Sequence, residues 1–155
     1  MKPVLGSSEL TQVGIVVENI EKTKHKWAAF LGMDAPDTID LAADPNITQT
    51  QFNGEPTPNA SCKIAVFRFG SVQMDLIEPN DAPSSWRDFL EQKGEGIHHI
   101  AFNVSNTQQK LDAVAELGIG VRHRAIYGDG SGEYVYLDSQ AALGCIVETM
   151  ESYEK

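Results

Sequence analysis

The chain has 155 residues, 41% of them hydrophobic and 22% charged, and a formal net charge of −10. This length fits one compact domain, or two half-domains that share a core. The acidity argues against nucleic acid or an anionic membrane as the partner, because both require clustered Lys and Arg.

Strands are predicted where β-branched and aromatic residues lie between Gly, Pro, Asn and Asp, at 11–17, 63–69, 72–78, 99–104, 133–137 and 145–150. Shorter strands are predicted near 38–41 and 121–127. The segment 34–60 is rich in Pro, Asn, Thr and Asp and has little periodicity. A segment of this kind indicates a functional loop, often a lid, or a disordered one.

Helices are predicted over 20–31, 84–91 and 107–117. Asn19 is expected to cap the first helix, and Asn106 with Gln109 has the spacing of a capping box on the last. Apolar residues at i, i+3 and i+4 predict the buried faces. These residues are Trp27, Phe30 and Leu31, then Trp86, Phe89 and Leu90, then Leu111, Val114 and Ala115.

The strand and helix patterns of the first half recur in the second. Gln12 and His99 are 87 positions apart (99 − 12), and so are Asn19 and Asn106 (106 − 19). A repeated supersecondary unit fixes the architecture. We therefore expect an α+β fold in which two pseudo-symmetric βαβββ modules form a curved mixed sheet around a central groove. The single domain 1–155 would divide into a first module at 9–79, a linker helix at 80–96 and a second module at 97–151.

Four polar residues occupy equivalent positions in the two halves. Gln12 is equivalent to His99, and Asp75 to Glu148 in the last strand of each module. Because side chains alternate between the faces of a strand, all four are expected on the concave side of the sheet. One imidazole, two carboxylates and one amide oxygen suit a single divalent ion such as Zn²⁺, Co²⁺, Ni²⁺ or Mn²⁺.

The neighbours of these residues have expected positions too. Small side chains at Gly14 and Ala101 would leave space for a ligand beside Gln12 and His99. Strand alternation places His98 on the face opposite His99. His25 and His123 are expected at the protein surface.

Cellular location and assembly can also be predicted. The first eight residues lack the apolar core of a signal peptide, and no apolar run approaches the ~20 residues of a membrane span. Cys62 and Cys145 form no CxxC pair, and we expect them to be reduced in the cytoplasm. A half-domain with an exposed sheet edge makes a homodimer the expected assembly.

Four segments carry a resemblance to a known family: QVGIVV at 12–17, QMDLIEP at 73–79, GEGIHHIAF at 94–102 and GCIVE at 144–148. They resemble the vicinal oxygen chelate (glyoxalase, bleomycin resistance and dioxygenase) superfamily over nearly the whole chain, and within it the methylmalonyl-CoA epimerases most. The resemblance implies paired βαβββ modules around a metal ion, with His99 and Glu148 as ligands. Asp75 stands where Glu or Gln is usual. Gln12 replaces a His of most epimerases and is similar to the Gln of some glyoxalase I enzymes.

The resemblance implies proton abstraction next to a carbonyl, with Glu148 and Asp75 as the catalytic residues. The leading hypothesis is a metal-dependent epimerase that acts on an acyl-thioester. An opposing Glu of those epimerases has no clear counterpart here, where Glu55 and Asn59 are nearest. The alternatives are a glyoxalase I-type lyase acting on a thiol hemithioacetal, and a non-catalytic protein that binds a small molecule.

Overall fold

The computed structural model describes residues 3–154, and it contains both predicted βαβββ patterns together with four short elements that the repeat did not predict. Its strands are β1 (Leu10–Val16), β2 (Ile39–Asp40), β3 (Gln51–Phe52), β4 (Glu55–Pro56), β5 (Cys62–Phe69), β6 (Val72–Pro79), β7 (Gly96–Asn103), β8 (Gly120–Ile126), β9 (Gly132–Asp138) and β10 (Ile146–Ser152). Its helices are α1 (Ile20–Leu31), α2 (Pro45–Thr48), α3 (Ser85–Lys93), α4 (Thr107–Ala115) and α5 (Gln140–Leu143). The four elements that the repeat did not predict are α2, β3, β4 and α5. Within 3–154, no helix has the length and apolar character that crossing a membrane requires.

All the strands belong to one curved, open, mixed sheet in the order β2-β5-β6-β1-β7-β10-β9-β8-β3-β4. The two modules meet where β1 pairs antiparallel with β7. In parallel pairs on either side, Gly14 lies opposite Asp75 and Ala101 lies opposite Glu148. Gly14 lies two residues after Gln12, and Ala101 lies two residues after His99. The strand registers therefore reproduce the predicted equivalence of the two halves, and the α+β fold class is confirmed.

Helix α1 buries a different face from the one predicted. Ile20, Lys24 and Ala28 are buried, whereas Phe30 is 81% exposed. The stem of Lys24 can be covered because its Nζ stays hydrogen-bonded, 2.9 Å from Thr38 Oγ1. The prediction was wrong for Phe30 and Leu31, because the segment after α1 folds back over the Lys24 side of the helix. Trp27 is half-buried against the core.

Helices α3 and α4 largely bury the expected residues. Trp86 and Leu90 are buried in α3, and Leu111 and Val114 in α4, although Ala115 is exposed. The capping box of α4 does not form: Asn106 is left-handed, with φ at 56°, and its side chain makes no capping bond. Instead the carboxylate of Glu151, from β10, accepts the backbone N–H groups of residues 106 and 107, both at 2.9 Å.

The segment 34–60 forms short regular elements, so the disordered alternative was wrong. It begins at the sheet edge where β2 pairs with β5, and it reaches the opposite edge, where β3 pairs with β8. There Phe52 lies opposite His123, and the guanidinium of Arg122 lies 5.5 Å from the Phe52 ring centre. The segment connects the two outer edges of the curved sheet, and it also lines a cavity on the concave side.

Candidate active site

The concave face of the sheet encloses a cavity of about 830 Å³. Residues from the strands of both modules line it, and so do most residues between 40 and 50. Its lining includes three of the four predicted site residues and an aromatic wall: Gln12, Asp75, Glu148, Trp86, Tyr134 and Tyr136. The sequence therefore located the cavity correctly through the face on which these side chains lie.

His99, the fourth predicted site residue, is fully buried behind the cavity and lies against Gly14. The two residues are paired across β1 and β7. A Cβ atom at position 14 would lie 2.0 Å from Cε1 of the imidazole. The space that a ligand was expected to use at Gly14 is therefore filled by the His99 ring, and glycine is the residue that permits this packing.

Two oxygen atoms converge on the ring nitrogen of His99 that is nearest the cavity. Gln12 Oε1 lies 2.5 Å from His99 Nε2, and Glu148 Oε2 lies 3.0 Å from it. A ring nitrogen can form only one hydrogen bond in the plane of the imidazole, and the shorter contact, with Gln12, takes that position. Glu148 Oε2 therefore has no hydrogen-bond partner, although the residue is only 3% exposed. Gln12 Nε2 contacts Met150 Sδ at 3.9 Å, which turns the amide oxygen toward His99.

This arrangement fits a divalent cation. A neutral imidazole nitrogen, an amide oxygen and a carboxylate oxygen are all electron-pair donors that such ions accept. A buried carboxylate oxygen without a partner is costly unless something positively charged contacts it. Gln12 Oε1 and Glu148 Oε2 lie 2.5 Å and 3.0 Å from His99 Nε2, and Glu148 Oε2 accepts no hydrogen bond. These three atoms are therefore consistent with a metal site at this point.

Asp75 lines the same cavity but stands apart from these three atoms. Within residues 3–154, no three His, Cys, Asp or Glu side chains lie together as a metal-binding group, so Asp75 does not join His99 and Glu148. Its Oδ1 accepts a hydrogen bond from Gln73 Nε2 at 2.9 Å. Burial, followed by the negative charge of Glu148, raises the pKa of Asp75 to about 6. Its ligation of a metal stays a prediction.

His98 lies next to His99 and not on the opposite face, so that prediction was wrong. Gly14 pairs with His99 whereas Ile15 pairs with Ile97, and this register shift leaves His98 as the extra residue of a β-bulge. The Nδ1 atoms of the two imidazoles are 2.9 Å apart. Burial holds the pKa of His98 well below its usual range. A bulge is not visible in the alternation of apolar and polar residues.

His123 is also buried, contrary to the sequence prediction, whereas His25 is exposed as expected. The Nδ1 atom of His123 lies 2.9 Å from Ser85 Oγ, and its ring packs on Trp86 with centres 4.6 Å apart. Burial lowers the pKa of His123 to about 3. Side chains alternate between the two faces of a strand. Because charged residues flank His123 in β8, this alternation could have indicated that His123 points inward.

The paired modules and the groove between them define a class of protein. A family model described as the Glyoxalase/Bleomycin resistance protein/Dioxygenase superfamily matches residues 11–136. The chain belongs to this superfamily, which confirms the resemblance read from its four segments.

Particular relatives agree with this assignment. The chain is 32% identical over 145 residues to uncharacterized protein YqjC of Bacillus subtilis (strain 168), covering 93% of this chain and 92% of that protein. Among solved structures, hypothetical protein BH1468 from Bacillus halodurans C-125 matches with a TM-score of 0.66 at 24% identity, over 94% of this chain and 95% of that one. Methylmalonyl-CoA epimerase from Mycobacterium tuberculosis matches with a TM-score of 0.65 at 19% identity, over 99% and 94%. At these identities the structural matches establish the fold alone.

Proposed function

We propose that the protein is a metal-dependent epimerase that abstracts the proton next to a thioester carbonyl. The observation that carries this proposal is the convergence of Gln12 Oε1 and Glu148 Oε2 on His99 Nε2 at the wall of the cavity. The similarity of fold to methylmalonyl-CoA epimerase supports it. Gln12, Asp75 and Glu148 give a carbonyl compound polar groups in a cavity that Trp86, Tyr134 and Tyr136 also line.

Gln12, His99 and Glu148 would hold the cation, which we expect to be Zn²⁺, Co²⁺, Ni²⁺ or Mn²⁺. Bound there, such an ion supplies Lewis-acid chemistry, because it draws electron density from a carbonyl oxygen and so acidifies the neighbouring C–H. Gly14 keeps the His99 ring in place behind the other two donors. Asp75 is the remaining carboxyl group on this part of the wall.

Glu148 and Asp75 would move the proton. They come from the last strand of each module, β6 and β10, which lie in one sheet with β1 and β7 between them, and both line the cavity. We expect the substrate to bind between them, with one carboxyl group toward each face of its α-carbon. An epimerase needs this arrangement, since a proton removed from one face must return to the other. With a pKa of about 6, Asp75 can exchange a proton near neutral pH. Glu55 lies outside the cavity lining, which favours Asp75 over Glu55 as the second group.

Deuterium incorporation at the α-carbon of acyl-CoA thioesters in D₂O tests this reaction, with methylmalonyl-CoA and an uncharged α-methyl acyl-CoA compared side by side. We expect exchange that requires one of the four ions, stops with EDTA and is lost in Glu148→Gln. Asp75→Asn should slow the conversion of one epimer into the other more than it slows exchange, because exchange from one face needs one base. Glu116→Gln, an exposed carboxylate outside the cavity, is the matched control. Absence of exchange with all four ions, for these and other thioesters, would reject the proposal.

The amide of Gln12 favours a second candidate, a glyoxalase I-type lyase. That reaction moves a proton between adjacent carbons of a thiol hemithioacetal, so one base is sufficient. Thioester formation from methylglyoxal and small thiols distinguishes it from the epimerase. If ligands bind tightly and neither reaction occurs, a non-catalytic binding protein explains the cavity better. The homodimer and the cytoplasmic location stay predictions, and light scattering after gel filtration tests the former.

A further inference from the structure

The chemical character of the cavity lining restricts which substrates can enter. Five acidic side chains line it: Asp40, Asp44, Asp75, Asp129 and Glu148. None of the Lys and Arg side chains within residues 3–154 is part of the lining. A divalent cation at Gln12, His99 and Glu148 would offset two of the five negative charges, so the lining would stay negative.

Most basic residues of the neighbouring strands are held in ion pairs outside the lining. Arg68 is the exception, because its Nη1 donates to Oε1 of the lining residue Gln73 at 2.9 Å. Arg124 pairs with Glu133 at 2.8 Å, and Arg122 pairs with Asp88. Lys63, which follows the lining residue Cys62, lies 3.7 Å from Glu78. Arg122, Arg124 and Lys63 are thus paired with carboxylates outside the lining. Arg68 acts on Asp75, which already lines the cavity, so an added carboxylate or phosphate would have to compete with Asp75 for this one charge.

The rest of the wall is aromatic and apolar. Tyr134 stacks between Trp86 and Tyr127, with ring centres 6.2 Å and 6.0 Å apart and interplanar angles of 29° and 17°. All three residues line the cavity, and burial raises the pKa values of Tyr127 and Tyr134, so both stay neutral phenols. Such faces attract planar, apolar or cationic groups.

We propose that the cavity takes a small carbonyl compound whose bound part carries no negative charge, with an apolar or planar body against the Trp86–Tyr134–Tyr127 stack. This inference rests on the proposed function for the carbonyl group and goes beyond it in the charge of the substrate. If the substrate is a thioester, its acyl group should carry no charge, and a malonyl-type carboxylate should bind less well within the cavity.

Two probes of nearly equal shape separate charge from fit. The uncharged probe is the 2-methylacetoacetyl thioester of N-acetylcysteamine, and the anionic probe is the corresponding methylmalonyl thioester. Titration calorimetry on the Zn²⁺-loaded protein should give a dissociation constant at least about tenfold lower for the uncharged probe. Equal binding, tighter binding of the anion, or no binding of either probe would overturn the inference.

A charge-neutralising pair of substitutions locates the effect. D40N/D44N removes two carboxylates at the mouth of the cavity, and the amide oxygens can still accept the bonds from Ala42 N and Asn46 N. D34N/D37N makes the same change of charge in the same segment outside the lining. We expect D40N/D44N to reduce the preference for the uncharged probe by about threefold and D34N/D37N to leave it unchanged. An equal reduction in both variants would contradict a role of the cavity charges.

Binding and reaction are read separately in this design. If the uncharged probe binds more tightly but its α-deuterium exchange is no faster than in buffer, the cavity inference holds and the proposed epimerase fails. If the anionic probe exchanges as fast and binds as well as the uncharged one, the epimerase holds and the inference about charge fails.

Discussion

Gly14→Ala tests whether the packing of His99 on a glycine organises the site. The added Cβ would lie 2.0 Å from Cε1, 2.5 Å from Nδ1 and 2.6 Å from Nε2 of the imidazole. The ring cannot stay where it is, and it has little room to move, because it is fully buried between His98 and Tyr136. Overpacking of this kind costs about 1–3 kcal/mol. Since three ring atoms are affected, we expect a loss of about 2–3 kcal/mol in the free energy of unfolding.

The same displacement should damage the proposed metal site. A ring that moves by ~1.5 Å to restore ordinary van der Waals distance no longer keeps Nε2 beside Gln12 Oε1 and Glu148 Oε2. We expect at least about a tenfold weaker affinity for Zn²⁺, as is typical when the support of a ligating His is lost. Urea unfolding measures the first effect, and competition with a chromophoric chelator measures the second. Gly120→Ala is the control, because a Cβ at Gly120 meets nothing within 4 Å.

A double-mutant cycle distinguishes the His99 clash from a general effect of alanine in β1. In a His99→Ala background the ring is absent, so Gly14→Ala should cost less than about 0.5 kcal/mol there. If Gly14→Ala alone is as stable as the wild type and binds Zn²⁺ equally well, the reasoning is refuted. The same conclusion follows if its cost is undiminished in the absence of the His99 ring.

Three further predictions concern stability. In the presence of a chelator, Glu148→Gln should raise the free energy of unfolding by about 1–2 kcal/mol, because it replaces a buried carboxyl oxygen that accepts no hydrogen bond and has only the 3.0 Å contact with His99 Nε2. A loss of stability in urea unfolding, beyond that of Glu116→Gln, would contradict this. His123 becomes protonated below about pH 6.5 in the unfolded chain but only near pH 3 in the folded protein, because burial lowers its pKa to about 3. The free energy of unfolding should therefore decrease as the pH is lowered from 6.5 toward 3. His123→Asn should lessen this fall by up to about 1.4 kcal/mol per pH unit, and parallel pH profiles would refute it. Phe30→Ser should cost less than about 0.5 kcal/mol and Leu111→Ala about 2–4 kcal/mol in urea unfolding; the reverse order would show that the exposed and buried faces are misassigned.

The sequence predicted the fold well because its information is local and periodic. Every predicted strand is present, and the alternation of side chains brought Gln12, Asp75 and Glu148 to one cavity. The spacing of 87 residues was informative because each module repeats the same pairing, with Gly14 opposite Asp75 and Ala101 opposite Glu148. These features depend on neighbours within a strand or on an internal repeat, both of which can be read from a single chain.

The wrong predictions concern contacts between residues that are distant in the chain. The cap of α4 comes from Glu151 in β10, and no local motif specifies it. Phe30 matched the pattern of a buried residue, but the segment after α1 covers the side of Lys24. His98 joined His99 through a bulge, which changes the face of one residue without changing the pattern around it. Tertiary packing decided each of these cases.

The two modules share a register but provide unequal chemistry, and the reason lies in their small residues. Gly14 and Ala101 are equivalent, yet only Gly14 lies under an imidazole, because even one methyl group there would collide with the ring. The second module therefore provides the aromatic nitrogen, and the first provides an amide that reaches it through a flexible side chain. Equivalent carboxyls then diverge as well. Glu148, on the strand beside His99, approaches its Nε2, whereas Asp75, beside Gly14, bonds to Gln73 and has its pKa raised by burial. One duplicated frame thus holds a donor cluster at His99 and a separate, protonatable carboxyl at Asp75, and the proposed proton transfer would use the two together.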